Sequence, residues 1–432
     1  MMEKTVFDQM NETVYHEQLD NGLNVYILPK KGFNKTYVTF TTNYGSIDND
    51  FIPNGETEFI HVPDGIAHFL EHKMFEKADG DVFQKFSSQG ASANAFTSFT
   101  RTAYLFSATS NIKENTETLI DFVQDPYFTE QTVEKEKGII GQEIRMYDDN
   151  PDWRVYFGLI ENLYKDHPVK IDIAGTVESI ADITKDHLYT CYNTFYHPVN
   201  MSLFIVGPVD ADEMMAFVKE NQSKKSFPEP VPVERRFPEE AEKAGLEHKE
   251  IRMSVNTPKC EVGFKMPASD RTGKDKLREE LAASLLLEML FGRTAEFYEK
   301  AYESGLIDDT FGFDYTAERG FSFALVGGDS NDPNTLAERI QTQLLEAKEG
   351  GHLTDEAFER ARKKKIGATL RAFNSPEYIA NQFTRYQFNE LNLFDTVPVL
   401  EEMTLQDVTA FAKEMIQAER FSSCFVLPKE TA

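Results

Sequence analysis

The sequence predicts an α+β protein of two homologous domains, and three observations carry this prediction. Segments rich in β-branched and aromatic residues interleave with segments of helical apolar periodicity. A proline-rich and charged stretch at 221–250 divides the 432 residues almost in half, and repeated prolines favour the extended backbone of a linker. The halves also share a weak internal repeat, which favours duplication over chance. We therefore expect domains at 1–220 and 251–432, joined by the linker 221–250.

The strands of the first half are short runs of β-branched and aromatic residues. Residues 24–28 and 36–42 have this composition and flank a turn-forming Lys-Gly-Phe-Asn sequence. Residues 100–108 are a further strand candidate, and the apolar run 201–206 ends at a glycine, as is typical of a buried strand. Apolar periodicity predicts helices at 112–124, 129–148, 152–164 and 182–192.

The second half repeats this order of elements. The clearest repeat aligns the helical segment 65–75 with 281–291, and Ile140-Gly141 with Ile366-Gly367. Two amphipathic helices can look alike by chance, but the shared order favours duplication. Strands are predicted near 260–266 and 318–327, and helices near 275–290, 332–348 and 354–373.

The charge balance excludes two classes of partner. The chain has 45 Lys and Arg against 72 Asp and Glu, a net charge of −27. Such a chain repels nucleic acid and anionic membrane surfaces, so neither is expected as a partner. The charge fits a preference for cationic partners, although solubility alone also explains it.

The cysteines and the hydropathy pattern predict a soluble cytoplasmic protein. The three cysteines, Cys191, Cys260 and Cys424, lie far apart and form no CxxC pair, which argues against a disulfide framework or a cysteine zinc site. The N-terminus has no apolar signal core. No apolar run approaches the ~18 residues of a membrane span.

The segment His68-Phe-Leu-Glu71-His72 carries the chemistry. At about 100° per helical residue, the two imidazoles and the carboxylate share an arc of about 100°. Two imidazoles one turn apart can bind one metal ion, and the carboxylate between them can act on a water at that metal. The order is the inverse of HExxH. The alternative reading is a helix with surface or capping histidines.

Two glutamates further along the chain can complete such a site. Glu136 and Glu143 lie seven residues apart in the predicted helix 129–148, and two turns place them on one face. One carboxylate could be the third ligand that a catalytic zinc needs, while the other orients a ligand. Taken alone, two glutamates in a charged helix are more often a solvated face.

These residues resemble the zinc site of the M16 metallopeptidases, the family of pitrilysin, insulinase and mitochondrial processing peptidase. Glu143 follows His72 by 71 residues, as in that family. The resemblance covers nearly the whole chain and is closest to bacterial cytoplasmic subunits of this size. It implies two domains of the metallohydrolase fold shared by LuxS and mitochondrial processing peptidase. Its further motifs are 90–97, 167–168, 175–180, 196–201 and 206–207.

The resemblance implies a role for each matching residue. His68, His72 and Glu143 would be the ligands of one Zn²⁺ per chain, and Glu136 would orient a ligand. Glu71 would be the general base of a metalloendopeptidase, and the zinc would polarise the scissile carbonyl.

The resemblance also implies where the peptide substrate lies. Asn94 and Ala95, in a segment like the family's substrate-side strand, would bind the peptide as an added strand through main-chain hydrogen bonds.

The second half departs from the metal pattern. In the repeat, His68 aligns with Ser284 and His72 aligns with Glu288. Glu71 and Glu143 align with Leu287 and Thr369. Only the first half therefore keeps the residues of the metal site. The second half is expected to cover the site or to form a wall of the substrate-binding space.

The chain also lacks an Arg and Tyr pair that self-sufficient members carry in their second half. Ala301 and Asp308 occupy those places. The resemblance therefore implies a homologous partner subunit that supplies the pair. Two other functions stay open: a non-catalytic binding or assembly subunit, and a zinc hydrolase acting on another bond type.

Overall fold

The computed structural model describes residues 2–78, 80–267, 269 and 271–429. The mixture of helices and sheets confirms the predicted α+β class. The chain divides into two compact units: unit 1 comprises 1–144, 172–236 and 371–388, and unit 2 comprises 145–171, 237–370 and 389–432. Each unit thus takes one segment from the other half of the sequence. The boundaries 1–220 and 251–432 stay a prediction of how the sequence is duplicated.

Unit 1 contains a seven-stranded sheet of order β1-β2-β3-β11-β4-β10-β9, and unit 2 a five-stranded sheet of order β12-β16-β13-β15-β14. The pairing is antiparallel except for β3 with β11 and β12 with β16. The strands are β1 (Glu3–Phe7), β2 (Glu12–Gln18), β3 (Asn24–Pro29), β4 (Thr36–Thr42), β5 (Asp50–Phe51), β6 (Ile60–His61), β7 (Glu76–Lys77), β8 (Gly80–Asp81), β9 (Ala91–Thr97), β10 (Thr102–Ala108), β11 (Met201–Gly207), β12 (His248–Met253), β13 (Lys259–Met266), β14 (Gly312–Glu318), β15 (Phe321–Asp329) and β16 (Phe421–Pro428).

The helices lie between groups of these strands along the chain. They are α1 (Ile66–Met74), α2 (Val82–Ser88), α3 (Ile112–Val123), α4 (Glu130–Asp148), α5 (Pro151–Leu163), α6 (Val177–Ala181), α7 (Lys185–Phe195), α8 (Ala211–Ser223), α9 (Gly273–Phe291), α10 (Glu296–Glu303), α11 (Pro333–Lys348), α12 (Asp355–Ala372), α13 (Pro376–Phe388), α14 (Thr396–Glu402) and α15 (Leu405–Met415). Among the described residues, none of these helices is long and apolar enough to cross a membrane.

Two sequence predictions of single elements need correction. The helix predicted at 182–192 begins only at Lys185, because the hydroxyl of Thr184 caps it and a separate short helix, α6, precedes it. The strand predicted at 318–327 is the turn and second strand of a hairpin, since β14 and β15 meet at Gly320, whose φ is +87°.

The centre of unit 1 is the apolar middle of its sheet, where every residue of β4 and β11 is buried. Helix α13 packs on these strands. The Phe383 ring on α13 lies 4.9 Å from the ring of Tyr26 and 4.6 Å from that of Phe204. Helix α1, which carries part of the site, packs on β9 and β10 of the same sheet.

A glycine fixes the point where α1 begins. Gly65 has a φ of +86°, and a Cβ there would lie 2.3 Å from the carbonyl oxygen of Ala174. No side chain fits in that space, and the left-handed backbone favours glycine. The start of α1 is therefore held against the segment around Ala174, and the polar residues that follow face a fixed direction.

In unit 2, helix α5 packs on β13 and β16. Asn162 on this helix donates a hydrogen bond to the Ser423 carbonyl at 3.0 Å, and the Tyr164 hydroxyl donates to that of Ser322 at 2.7 Å. Both acceptors are sheet backbone, so α5 is tied to the sheet by polar contacts as well as by apolar burial.

Glu240, in the segment predicted to be a linker, binds a turn of unit 2. Glu240 accepts hydrogen bonds from the backbone N–H groups of Lys165, Asp166 and His167 at 2.7–3.0 Å, and from the Lys265 ammonium at 2.6 Å. Burial alone would raise the pKa of Glu240, but these hydrogen bonds outweigh it and lower the pKa to about 2.

Glu240→Gln is expected to lower the free energy of unfolding by about 2 kcal/mol at pH 7, because it removes the charge from four hydrogen bonds. The depressed pKa means that this stabilisation is complete above the ordinary value of 4.5 and is lost as the pH falls towards about 2. Urea denaturation at pH 7 and pH 3 measures both effects. The adjacent exposed Glu239→Gln is the control, and an equal loss in the two variants would contradict the assignment.

The three cysteines are all buried and unpaired. Cys191 lies in unit 1, and burial raises the pKa of its thiol to about 12. Cys260 and Cys424 lie in unit 2, and burial raises the pKa of both thiols as well. In the folded chain these thiols are therefore packing groups with little thiolate character.

Candidate metal centre

Helices α1 and α4 bring three of the sequence-predicted residues together. Nε2 of His68 lies 3.7 Å from Oε1 of Glu143, and Nε2 of His72 lies 3.5 Å from Oε2 of the same carboxylate. One ligand atom from each residue lies within 4.8 Å of the others. Among the described residues, this is the one group of three or more His, Cys, Asp or Glu side chains that could hold a metal ion.

The donor set fits zinc. Nδ1 of His72 lies 3.2 Å from Oε1 of Glu136, so the proton of the neutral ring belongs on Nδ1 and the Nε2 lone pair faces Glu143. Two imidazole nitrogens and one carboxylate are the three protein ligands of a catalytic zinc with an open fourth position.

The electrostatics differ between the two histidines. Burial, helped by His72, lowers the pKa of His68 to about 4. Burial also favours neutral His72, but the hydrogen bond to Glu136 and the nearby carboxylates raise the pKa of His72 overall. Burial would raise the pKa of Glu136, but the hydrogen bond from His72 and the charges of His72, Lys73 and Lys135 together outweigh it and lower the pKa of that carboxyl. His68 is thus a neutral nitrogen donor at physiological pH.

Glu71 lies between the two histidines on α1 and is 7 % exposed. Its Oε2 accepts a hydrogen bond of 2.7 Å from the hydroxyl of Thr97 on β9. Burial raises the pKa of Glu71 to about 7, against the opposing effects of that bond and of His72. One carboxylate oxygen is therefore held by the strand, and the group can exchange a proton near neutral pH.

Asn94 and Ala95 lie on β9, the last strand in the sheet of unit 1. Asn94 is exposed, and its Oδ1 accepts a hydrogen bond of 2.9 Å from the backbone N–H of Ala95. The Ala95 N–H therefore points away from β10, and a main-chain donor stands at the edge of the sheet.

A cavity of about 760 Å³ connects this edge with Glu71 and His72. The stacked rings of Phe75 and Phe83, with centroids 4.2 Å apart, give it an apolar surface. Its lining consists of Glu71, His72, Phe75, Glu76, Lys77, Ala78, Gly80, Asp81, Phe83, Asn94, Ala95, Lys135 and Glu136.

Sequence reasoning missed two residues around the site. The sequence predicts only that Thr97 lies in a strand-like segment, since its contact with Glu71 depends on the pairing of distant segments. Lys73 could have been found from the sequence by helix periodicity. It lies about 140° round the helix from His68, between Phe69 and Leu70 on the apolar face of α1. The side chain of Lys73 is fully buried there.

The counterpart region in unit 2 is held by lysines. Lys365 on α12 donates a hydrogen bond of 2.9 Å to the hydroxyl of Ser284 on α9, and Lys364 pairs with Glu288 at 2.7 Å. Ser284 and Glu288 are the positions that align with His68 and His72. Ammonium groups therefore bridge the helix pair where unit 1 gathers ligand atoms.

The residues at the two positions of the Arg and Tyr pair, Ala301 and Asp308, have local structural contacts. Ala301 is buried in α10, and Asp308 accepts hydrogen bonds from the N–H and hydroxyl of Thr310. Tyr302 is exposed and stacks on Tyr298 with ring centroids 5.7 Å apart. Its position is that of a surface side chain.

Comparison with known proteins matches both parts of the chain to one family. A model described as insulinase (peptidase family M16) matches residues 62–177. A model described as the peptidase M16 inactive domain matches residues 182–365.

Individual proteins extend this similarity over the whole chain. The uncharacterized zinc protease YmfH of Bacillus subtilis (strain 168) is 63% identical over 99% of this chain and all of its own length. The crystal structure of an M16-like peptidase from Alicyclobacillus acidocaldarius superposes with a TM-score of 0.93 at 42% identity, covering 97% of this chain and 99% of its own. The periplasmic protease PqqL of Escherichia coli shares the fold, with a TM-score of 0.72 at 18% identity, and 96% of this chain covers 48% of it. The chain therefore belongs to peptidase family M16.

Proposed function

We propose that the chain is a zinc-dependent endopeptidase of the cytoplasm that cleaves peptides or unfolded polypeptides. The observation that carries the proposal is the cluster of His68, His72 and Glu143, whose ligand atoms lie within 4.8 Å of one another. The buried Glu71 lies on α1 between the two histidines. The family name and the name of the Bacillus relative support the same activity. The cytoplasm, which keeps thiols reduced, suits a chain with three free cysteines.

His68, His72 and Glu143 would hold one Zn²⁺, and Glu136 would fix the ring of His72. Bound zinc supplies Lewis acidity, which polarises the scissile carbonyl and makes water a nucleophile at neutral pH. Glu71 accepts the proton of the attacking water and passes it to the leaving amine. Its Oε2 is held by Thr97, so Oε1 is the oxygen available for this transfer.

The substrate lies along β9 as an added strand. The Ala95 N–H stands at the edge of the sheet, and a peptide carbonyl can replace the Asn94 side chain as its acceptor. The neighbouring cavity, with its apolar surface from Phe75 and Phe83, receives a side chain of the bound peptide. Main-chain recognition of this kind suits substrates that are extended or unfolded.

Chelation is expected to abolish peptide hydrolysis, because the three ligands lose the ion on which the reaction depends. The measurement is cleavage of a quenched fluorescent peptide mixture by the natively purified protein, before and after 1,10-phenanthroline. One equivalent of Zn²⁺ should restore the rate. Full activity in a preparation shown to be free of metal would contradict the proposal.

We also propose a homologous partner subunit. Ala301 and Asp308 stand where self-sufficient relatives of the family carry Arg and Tyr, so donors for the developing oxyanion are missing. The chain matches about half of PqqL, which supports the view that a second chain of similar size completes the enzyme.

Purification of the native protein from its own cells tests the partner. A homologous chain in equal amount is expected to copurify, and its removal should lower kcat while zinc stays bound to this chain. A lone, fully active monomer would contradict the two-subunit proposal without affecting the proposed zinc chemistry.

A further inference from the structure

Lys73 is a buried cation next to the candidate metal centre. It follows His72 directly on α1, and its side chain is fully buried. Removing an ammonium group from water costs several kcal/mol unless carboxylates and hydrogen bonds compensate. A buried lysine in a short apolar helix therefore needs charged or hydrogen-bonding partners that stabilise its ammonium group.

Those partners are two carboxylates on different elements. The Lys73 ammonium donates a hydrogen bond to Oε2 of Glu76 on β7, and it lies 3.8 Å from Oε2 of Glu136 on α4. Glu136 uses its other oxygen, Oε1, for Nδ1 of His72. Lys73, Glu136 and His72 thus form a continuous chain of contacts that ends at a proposed ligand.

The two histidines differ in this respect. Nδ1 of His68 is buried and has no hydrogen-bond partner among the described residues. In contrast, the Glu136 carboxylate fixes the tautomer and ring orientation of His72 through Nδ1, and the buried Lys73 ammonium contacts the other oxygen of that carboxylate. A carboxylate with contacts at both oxygens has little freedom to rotate.

We propose that Lys73 is a positioning residue of the metal centre, which holds the Glu136 carboxylate against Nδ1 of His72 so that Nε2 of His72 faces the metal. The inference rests on the zinc site proposed above. The ion pairs of Lys73 are with Glu76 and Glu136, and Lys73 acts on the metal centre through Glu136.

The test is a cycle of zinc affinities, measured by competition with a chromophoric chelator. Lys73→Met keeps the length of the side chain and removes the charge, and it is expected to weaken zinc binding about 10-fold, at the low end of the effect of partners behind metal ligands. In a Glu136→Ala background the same substitution should change the affinity less than twofold, because its path to His72 is gone. Lys85→Met, at an exposed lysine of α2, is the control.

A second readout needs no metal. The ¹⁵N shifts of the His72 ring in the zinc-free protein should report the Nδ1–H tautomer in the parent chain, and a mixture of tautomers in Lys73→Met. A parent chain that binds no zinc would end the proposed function, while the tautomer would still test the role of Lys73.

Three outcomes would overturn the inference. One is equal zinc affinity in Lys73→Met and the parent chain, and another is an undiminished effect of Lys73→Met in the Glu136→Ala background. If Lys73→Met does not fold, Glu76→Gln is the variant that tests the inference. It leaves the Lys73–Glu136 contact in place. Its zinc affinity should stay within about twofold of that of the parent chain, and the His72 tautomer should not change. A loss as large as that of Glu136→Ala would be the third contradiction.

Discussion

Glu71→Gln is expected to lower kcat for peptide hydrolysis by about 10³-fold, within the range assigned to general acid–base catalysis. The amide keeps the size of the side chain and the Thr97 contact but cannot accept the proton of the attacking water. Zinc content should stay at one ion per chain, because the ligands are His68, His72 and Glu143. Steady-state kinetics and elemental analysis of the same preparation measure both quantities.

The matched control is Glu134→Gln. Glu134 lies on α4, and its exposed carboxylate pairs with Lys137 at 2.6 Å, away from the three ligands. The Glu134→Gln substitution should leave kcat unchanged. If Glu71→Gln kept full function in the cell, the chain would act as a binding or assembly subunit.

Glu143→Gln is expected to weaken zinc binding by about 10²-fold or more, since a neutral amide replaces the one charged ligand of three. Activity at limiting zinc should fall in parallel and recover in part at high zinc. The measurement is zinc competition followed by kinetics over a range of zinc concentrations.

Gln142→Ala is the control for this second experiment, because Gln142 is the exposed neighbour of Glu143 on α4. It should bind zinc like the parent chain. Unchanged affinity in Glu143→Gln would mean that another residue is the third ligand.

The sequence predicts the clustering of His68, His72 and Glu143 better than the packing around them. His68, Glu71 and His72 are close in sequence, so helix periodicity alone places them on one face of α1. Glu143 could be proposed from its spacing to Glu136 and from the family resemblance, and α4 brings it within 3.7 Å of His68.

The rest depends on contacts between distant segments. No sequence prediction covers α13, and its packing on β4 and β11 joins segments more than 160 residues apart in the chain. The contact of Thr97 with Glu71 likewise depends on where β9 joins the sheet. Lys73 could have been noticed as a charge on an apolar face, although its partners could not have been named.

The three buried thiols can report when each unit of the folded protein unfolds locally. A thiol with a raised pKa and no access to solvent reacts with an alkylating reagent only when its surroundings unfold. Cys191 marks unit 1, whereas Cys260 and Cys424 mark unit 2. The order in which pulse-labelled peptides appear in a mass spectrum therefore tells which unit loosens first. An ion held by α1 and α4 would delay the Cys191 peptide selectively.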